Sequence, residues 1–134
     1  MSERVPLILS PGDGRQYDLG AIHATFKADG DETGAMYNIS EWWLEPNTLG
    51  PGAHAHPEDD VFYVLKGTVS FYVNEQWVDA PAGTFVLVPG GVTHDFENRT
   101  DDRAGMLNIG APGGFEKHMP QIVDWFQTNR PKTS

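Results

Sequence analysis

Two histidines two positions apart, followed by an acid, are the residues of this sequence best suited to chemistry: His54, His56 and Asp60. In an extended chain, side chains two apart point to the same side, so both imidazoles project together, and Asp60 joins them if the register continues. Imidazole and carboxylate bind transition metals where thiolates are lacking, and the chain has no cysteine. The stretch therefore indicates a metal site, or alternatively ordinary histidines of a metal-free barrel.

A second segment supplies a third imidazole. The apolar run Thr84–Val88 is typical of a strand that ends at Pro89, turns through Gly90 and Gly91, and gives way to a new strand near His94. Glycine permits the tight turn, and proline restricts one side of the bend. A histidine at the start of a strand after such a turn can be aimed into the same barrel as the first pair.

The elements that would position these residues are short strands. Turn signals recur along the chain, and the runs between them are rich in Val, Phe, Tyr, Trp and Thr. This pattern is typical of an all-β sandwich or barrel. The clearest runs are Asp60–Leu65, Thr68–Val73, Thr84–Val88 and His94–Glu97.

A helical pattern occurs after residue 115. Apolar residues recur there every three to four positions, which predicts one helix or two short ones, with Pro120 in the first turn. Such a tail would cap the open end of a barrel or pack against a partner subunit. The apolar positions are Phe115, Met119, Ile122, Trp125 and Phe126.

Length, charge and apolar content exclude several classes of protein. The 134 residues suit one domain. The formal net charge of −10 argues against binding to nucleic acid or to anionic membranes, because proteins bind both through Lys and Arg. The first apolar run, Val5–Leu9, is shorter than the core of a signal peptide, and no segment approaches transmembrane length. We therefore expect a cytoplasmic protein.

The two segments together resemble the paired motifs of the cupin superfamily. The second motif is matched in full, with glycine, proline, glycine, histidine and asparagine at the expected spacing. These residues are Gly83, Pro89, Gly91, His94 and Asn98. Together the motifs cover residues 54–98, and the flanks look like small bacterial single-domain cupins described as quercetin-dioxygenase-like.

The first motif is matched in its core, His54-x-His56 with an acid and then Gly67 at the expected spacing. One departure is that Asp60 stands where glutamate is usual. Aspartate is one methylene shorter, so its carboxylate would reach a metal only if the strand moved inward or a water bridged the gap. The other departure is that Thr48 occupies the place of the motif's opening glycine.

The resemblance implies a fold and a ligand set. The fold is the cupin double-stranded β-helix, an all-β jelly-roll barrel with a short C-terminal helical segment. We expect a single domain over residues 1–134, with a barrel core at about 35–110 and a helical tail at about 115–128. The implied ligands of a divalent transition metal, Fe, Mn, Ni, Cu or Zn, are His54, His56, Asp60 and His94.

Alternatives to Asp60 as the acidic ligand are Asp59, which has the wrong strand parity, and Glu58, which lies beside the proline turn. If Asp60 is free of the metal, it would be the catalytic base. His23 and His118 match no motif and are expected at the surface. Asn98 is expected to be a structural hydrogen-bonding residue at a strand end.

The pocket is expected to have an aromatic wall. Inward parity with His94 selects Phe96, and parity with His56 selects Phe62, while Met36 and Met106 are plausible fillers. Such a wall favours a small aromatic or apolar substrate that chelates through oxygen atoms.

We interpret the function as a metal-dependent, dioxygenase-like oxidoreductase. The alternatives are a non-catalytic small-molecule-binding cupin, acting as sensor or carrier, and a metal-dependent lyase, isomerase or hydrolase. A homodimer is expected, with the apolar run Val5–Leu9, interpreted as a strand, and Trp125 with Phe126 as contact surfaces.

Overall fold

The computed structural model describes residues 4–131. Within that range the chain forms nine strands, then a 3-10 helix at Phe115–His118 and an α-helix, α1, at Met119–Asn129. None of these helices is long and apolar enough to cross a membrane. The strands are β1 (Arg15–Asp18), β2 (Ile22–Ala28), β3 (Asn38–Leu44), β4 (Asp59–Lys66), β5 (Thr68–Val73), β6 (Gln76–Pro81), β7 (Phe85–Val88), β8 (Asp95–Glu97) and β9 (Ala104–Ala111).

The strands form two antiparallel sheets. The larger has the order β1-β2-β3-β9-β4-β7, and the smaller has the order β6-β5-β8. Isolated bridges, Thr48 with Asn98 and His54 with His94, extend the pairing into the connecting segments. This confirms the predicted all-β class with a short C-terminal helical segment.

The four predicted runs correspond to β4, β5, β7 and β8, with ends that differ by a residue or so. Two strands, β1 and β2, precede residue 35, where the sequence analysis placed the start of the barrel core. The predicted N-terminal strand at Val5–Leu9 is wrong, because that stretch has no strand structure and its side chains are exposed. Pro6 within it lacks the N–H that a strand ladder needs.

Alternation along the strands places the core between the sheets. In β3 the side chains of Asn38, Ser40, Trp42 and Leu44 are buried, while the intervening ones are half-buried. The same period recurs in β9, where Met106 and Asn108 face inward. The largest fully buried apolar side chains are Phe26, Leu19, Ile22, Leu44, Met106, Met119, Val64, Val69 and Val88.

The C-terminal helical segment packs against this barrel. Met119 and Phe126 are 0% and 3% exposed, and the Phe115 ring stacks on Phe26 with centroids 6.2 Å apart. Pro120 lies in the first turn of α1, as predicted. Because Phe126 is buried within its own chain, its expected role in a subunit contact is wrong.

Candidate metal centre

Three imidazoles meet at one end of the barrel. His54, His56 and His94 each offer a ring nitrogen, and these nitrogens all lie within 4.8 Å of one another. The backbones of His54 and His94 exchange two hydrogen bonds, of 3.0 and 2.9 Å. This bridge joins the two sequence segments and brings the third histidine to the first pair.

The turn after β7 is held against the first segment. Gly91 donates its N–H to the His56 carbonyl over 2.7 Å, and Gly90 donates its N–H to the Asp59 carboxylate over 2.8 Å. A Cβ at position 90 would lie 2.0 Å from the Pro57 carbonyl oxygen, so only glycine fits there. Asp59 therefore fastens the turn, which gives this alternative acid a structural role.

The Nδ1 atom of each imidazole bonds to a backbone carbonyl. The Nδ1 atoms of His54, His56 and His94 lie 2.7, 3.1 and 2.9 Å from the carbonyl oxygens of Gly52, Glu58 and Val92. A carbonyl oxygen only accepts, so each Nδ1 carries the hydrogen. In the neutral imidazole the lone pair is then on Nε2, the tautomer that a metal-binding histidine needs.

The Asp60 carboxylate reaches two of these three nitrogens despite its short side chain. Its Oδ2 lies 3.0 Å from the His56 Nε2 and 3.3 Å from the His94 Nε2. Asn108 donates from Nδ2 to the Asp60 Oδ1 over 3.2 Å and to the Val61 carbonyl over 3.2 Å. Asn108 therefore orients the carboxylate.

This arrangement needs a cation. Neutral Nε2 atoms and a carboxylate oxygen are all acceptors, so contacts of this length require a proton on an imidazole or a metal ion among them. Nitrogen and oxygen donors without thiolate fit a divalent transition metal. We refer to His54, His56, Asp60 and His94 as the donor end.

Burial and mutual contacts shift the pKa values of the donor end. Burial lowers the pKa of His54, since the charged imidazolium is poorly solvated. Burial also acts to lower the pKa of His94, but the hydrogen bond to Asp60 outweighs it and the pKa is raised. Burial opposes ionisation of Asp60, and the hydrogen bonds from His94 and Asn108 outweigh it, so the pKa of Asp60 is lowered.

The donor end opens into a cavity of about 240 Å³. Of the predicted pocket residues, Phe62, Phe96 and Met106 line it. Met36 does not, which corrects the prediction: it lies in the bend before β3, where strand parity does not apply, and is 60% exposed. The lining residues are Trp42, Pro51, His54, His56, Asp60, Phe62, His94, Phe96, Met106, Asn108, Phe115, Ile122, Trp125 and Phe126.

A family model described as a cupin domain matches residues 40–110, just over half of the sequence. The chain belongs to the cupin family. This confirms the resemblance to the cupin superfamily and the jelly-roll fold predicted from it, while the quercetin-dioxygenase-like subtype stays a prediction.

Solved structures of cupins are similar in fold to this one. A predicted oxalate decarboxylase from Thermotoga maritima is 17% identical, with 80% of this chain and 99% of that chain covered and a TM-score of 0.70. An RmlC-like cupin from Shewanella frigidimarina is 16% identical, with 87% and 99% covered and a TM-score of 0.71. The polyketide cyclase RemF from Streptomyces resistomycificus is 16% identical, with 83% and 80% covered and a TM-score of 0.65.

These neighbours differ in their named chemistry, and at such identities they show the fold alone. None of the curated proteins matches the sequence significantly. The chemistry of this cupin therefore has to be argued from its own residues.

Sequence reasoning missed Asn108 as a site residue. The available signal was a single amide in the apolar strand β9, at the same parity as Met106. It also left undecided whether the helical tail meets the barrel or a partner. Four residues of that tail line the cavity of this cupin: Phe115, Ile122, Trp125 and Phe126.

The remaining histidines and Asn98 lie away from the donor end. The His23 ring bonds with the Gln16 amide oxygen over 2.6 Å, and His118 is exposed. Asn98 follows β8, and its amide nitrogen donates to three backbone carbonyls, those of Leu44, Glu45 and Asp102. It is a structural residue, as the sequence indicated.

Proposed function

We propose that this cupin is a metal-dependent, dioxygenase-like oxidoreductase that acts on a small aromatic or enolisable substrate chelating through oxygen. One observation carries the proposal: three imidazoles, each with Nδ1 bonded to a carbonyl, present Nε2 beside a carboxylate in an otherwise mostly apolar cavity. Metal-binding histidines usually hold their other ring nitrogen in this way, so the shared arrangement of the three converging rings supports a metal role.

The donor end would hold one divalent transition metal, Fe, Mn, Ni or Cu for oxygen chemistry. His54, His56 and His94 are the proposed ligands, and Asp60 is the proposed fourth ligand or catalytic base. A metal bound there would polarise the substrate oxygens and serve as the redox partner for dioxygen.

Asp60 is the proposed proton acceptor. Asn108 donates to Oδ1, which leaves Oδ2, the oxygen that faces the imidazoles, to accept a proton from a substrate hydroxyl or enol. The lowered pKa of Asp60 keeps the carboxylate ionised, as both a metal ligand and a proton acceptor must be.

The cavity walls orient the substrate and exclude water. Trp42, Phe62, Phe96 and Met106 supply apolar surface next to the donor end. Among the residues that the structure describes around the cavity, no lysine or tyrosine is present to act as a second acid or base. This composition supports oxygen-dependent chemistry over sugar epimerase chemistry.

The test is metal analysis together with oxygen uptake. We expect the wild type to bind about one transition-metal ion per chain and to consume oxygen with aromatic diols. We expect His56→Ala to lose both the metal and the oxygen uptake. His23→Ala is the matched control and should keep both. Asp60→Asn preserves shape, so metal retained with uptake lost would assign Asp60 as the base, and metal lost would assign it as a ligand.

Other outcomes would decide against oxygen chemistry. Product formed without oxygen would indicate a lyase, isomerase or hydrolase. Ligand-dependent shifts in melting temperature with no product would indicate a binding module. A wild type that takes up no transition metal, even when supplied with it, would sink the proposal.

We also propose that a second copy of the chain covers the outer face of β4 and β7. Tyr63, Leu65, Phe85 and Leu87 are 43%, 41%, 61% and 53% exposed there, and β7 is an edge strand. Exposed apolar patches of this kind mark interaction sites. The four side chains are uncharged, so their contact with a second copy would desolvate no charged group among them. Sedimentation of Phe85→Lys as a monomer beside a dimeric wild type would support this; a monomeric wild type would refute it.

A further inference from the structure

The ionisable residues that line the cavity of this cupin all belong to the donor end. The donor end and Asn108 supply its ionisable and amide side chains, and the other lining residues are apolar. We call the four contributed by the helical tail, Phe115, Ile122, Trp125 and Phe126, the C-terminal wall. The part of a ligand that is not bound to the donor end therefore contacts mainly apolar side chains.

Polar contacts fasten the start of this wall. Asp29 is 4% exposed, and its carboxylate accepts the N–H groups of Gly114 over 2.6 Å and Glu116 over 2.8 Å. Glu116 in turn accepts two hydrogen bonds from Arg15, of 2.7 and 2.8 Å, and one from the Tyr17 hydroxyl of 2.7 Å. The wall is thereby held to the barrel independently of the donor end.

The end of the wall is fastened as well. Arg130 donates from Nε to the Gly50 carbonyl over 3.2 Å, next to the cavity residue Pro51. Its guanidinium lies 5.3 Å from the centroid of the Trp125 ring, within range of a cation–π interaction. Trp125 is 40% exposed, which puts it at the rim of the cavity, and the contact with Arg130 holds its ring in place there.

The charge of the cavity restricts what the wall accepts. No lysine or arginine occurs among the described residues that line the cavity, and the one carboxylate, Asp60, is at the donor end. An anionic group pressed against the wall below the rim would lose water without gaining a cationic partner, because Arg130 lies against Trp125 at the rim and already donates to the Gly50 and Asn129 carbonyls. An apolar group there would gain the hydrophobic free energy of burial.

We infer that the C-terminal wall determines substrate specificity: it takes an uncharged, apolar ring or branched alkyl body attached to the chelating oxygens. It rejects bodies that carry a carboxylate, sulfonate or phosphate. The inference rests on the proposed metal function of the donor end.

The test is calorimetric binding of three probes to the full chain loaded with zinc, which does not oxidise them. The affinity for catechol reports binding through the donor end. The other two probes add one group each to catechol: 4-tert-butylcatechol adds an apolar body, and 3,4-dihydroxybenzoate adds a carboxylate. We expect 4-tert-butylcatechol to bind roughly tenfold or more tighter than catechol. We expect 3,4-dihydroxybenzoate to bind at least about tenfold more weakly than catechol.

Variants in the wall should reduce this discrimination by a larger factor than they reduce catechol affinity. Trp125→Ala and Ile122→Ala should each reduce the advantage of 4-tert-butylcatechol. Trp77→Ala is the matched control, because Trp77 is 38% exposed and lies outside the cavity. Trp125→Lys should shift the preference toward 3,4-dihydroxybenzoate by adding a cation at the rim.

The outcomes separate the two proposals. If catechol binds but all three probes bind alike, or the wall variants keep full discrimination, the inference is overturned and the metal function stands. If the chain binds zinc but no probe, the proposed function fails and the inference fails with it.

Discussion

The donor end and the C-terminal wall are held in place by different kinds of contact. At the donor end, two backbone hydrogen bonds link His54 with His94. The Gly90 N–H also donates to the Asp59 carboxylate, 31 residues away in the chain. The wall depends on side chains, with Asp29 bonding to Gly114 across 85 residues and Arg15 to Glu116 across 101. Short motifs can specify the first kind of contact, whereas only the whole fold creates the second.

Removing an imidazole should have the largest effect on this comparison. His94→Ala deletes one donor from the cluster and should reduce bound metal to less than about a tenth of the wild-type content. The measurement is elemental analysis after equilibration with metal, with circular dichroism to check folding. His118→Ala should keep its metal, and full metal binding by folded His94→Ala would remove that histidine from the donor set.

Removing the buried carboxylate should break the wall and spare the donor end. Asp29→Ala leaves the Gly114 and Glu116 N–H groups without their acceptor, which should lower the free energy of unfolding by about 2–4 kcal/mol. Urea unfolding of metal-free protein measures this. The exposed Asp31→Ala should change stability by less than about 0.5 kcal/mol.

The same variant tests whether the donor end and the C-terminal wall are independent of each other. Asp29→Ala, under conditions where it stays folded, should still bind one metal ion per chain and should lose probe discrimination. If it lost metal and discrimination together, the two regions would not be independent.

The smallest expected effect concerns the pH dependence of the wall. Glu32 accepts a hydrogen bond from the Asp29 backbone N–H and, more weakly, pairs with Arg15; these contacts outweigh burial and lower its pKa. A lowered folded-state pKa gives stability that is present above the unfolded-state pKa and is lost as the pH falls through the folded value. Stability should therefore decline below about pH 4.3 through this group.

Glu32→Gln should remove that part of the acid dependence and change stability at pH 7 by less than about 1 kcal/mol, because the pair is partly exposed. The measurement is urea unfolding of the metal-free protein at several pH values. Glu75→Gln, at an exposed turn, should keep the wild-type profile. An acid profile of Glu32→Gln identical to that of the wild type would contradict the assigned role of Glu32.

Prediction from sequence succeeded where periodicity and turn residues act locally. Alternation placed His54 with His56, and the Pro89 turn placed His94 at the start of a strand, because strand period and glycine conformation depend on neighbouring residues alone. That His94 joins the first pair was implied by the resemblance to cupins, because it depends on the backbone bridge between the two segments. Prediction failed for Met36, which lies in a bend where no period applies, and for Val5–Leu9, where Pro6 prevents strand pairing.

Whether Asp60 reaches the imidazoles was undecided in the sequence. Its distance from His56 and His94 depends on how β4 pairs with β9, which places Asp60 opposite Gly110 and brings Asn108 close enough to orient the carboxylate. No property of the segment 54–67 contains that information.

The amino-acid sequence by itself determined the strand-rich class, the three histidines on a common side, and the turn that presents His94. Those features follow from local backbone geometry and from residue chemistry. Only the tertiary structure decided the reach of Asp60, the role of Asn108 and the closure of the cavity by the C-terminal wall. Each of these depends on contacts between side chains far apart in the chain, whose positions are set by packing of the whole barrel.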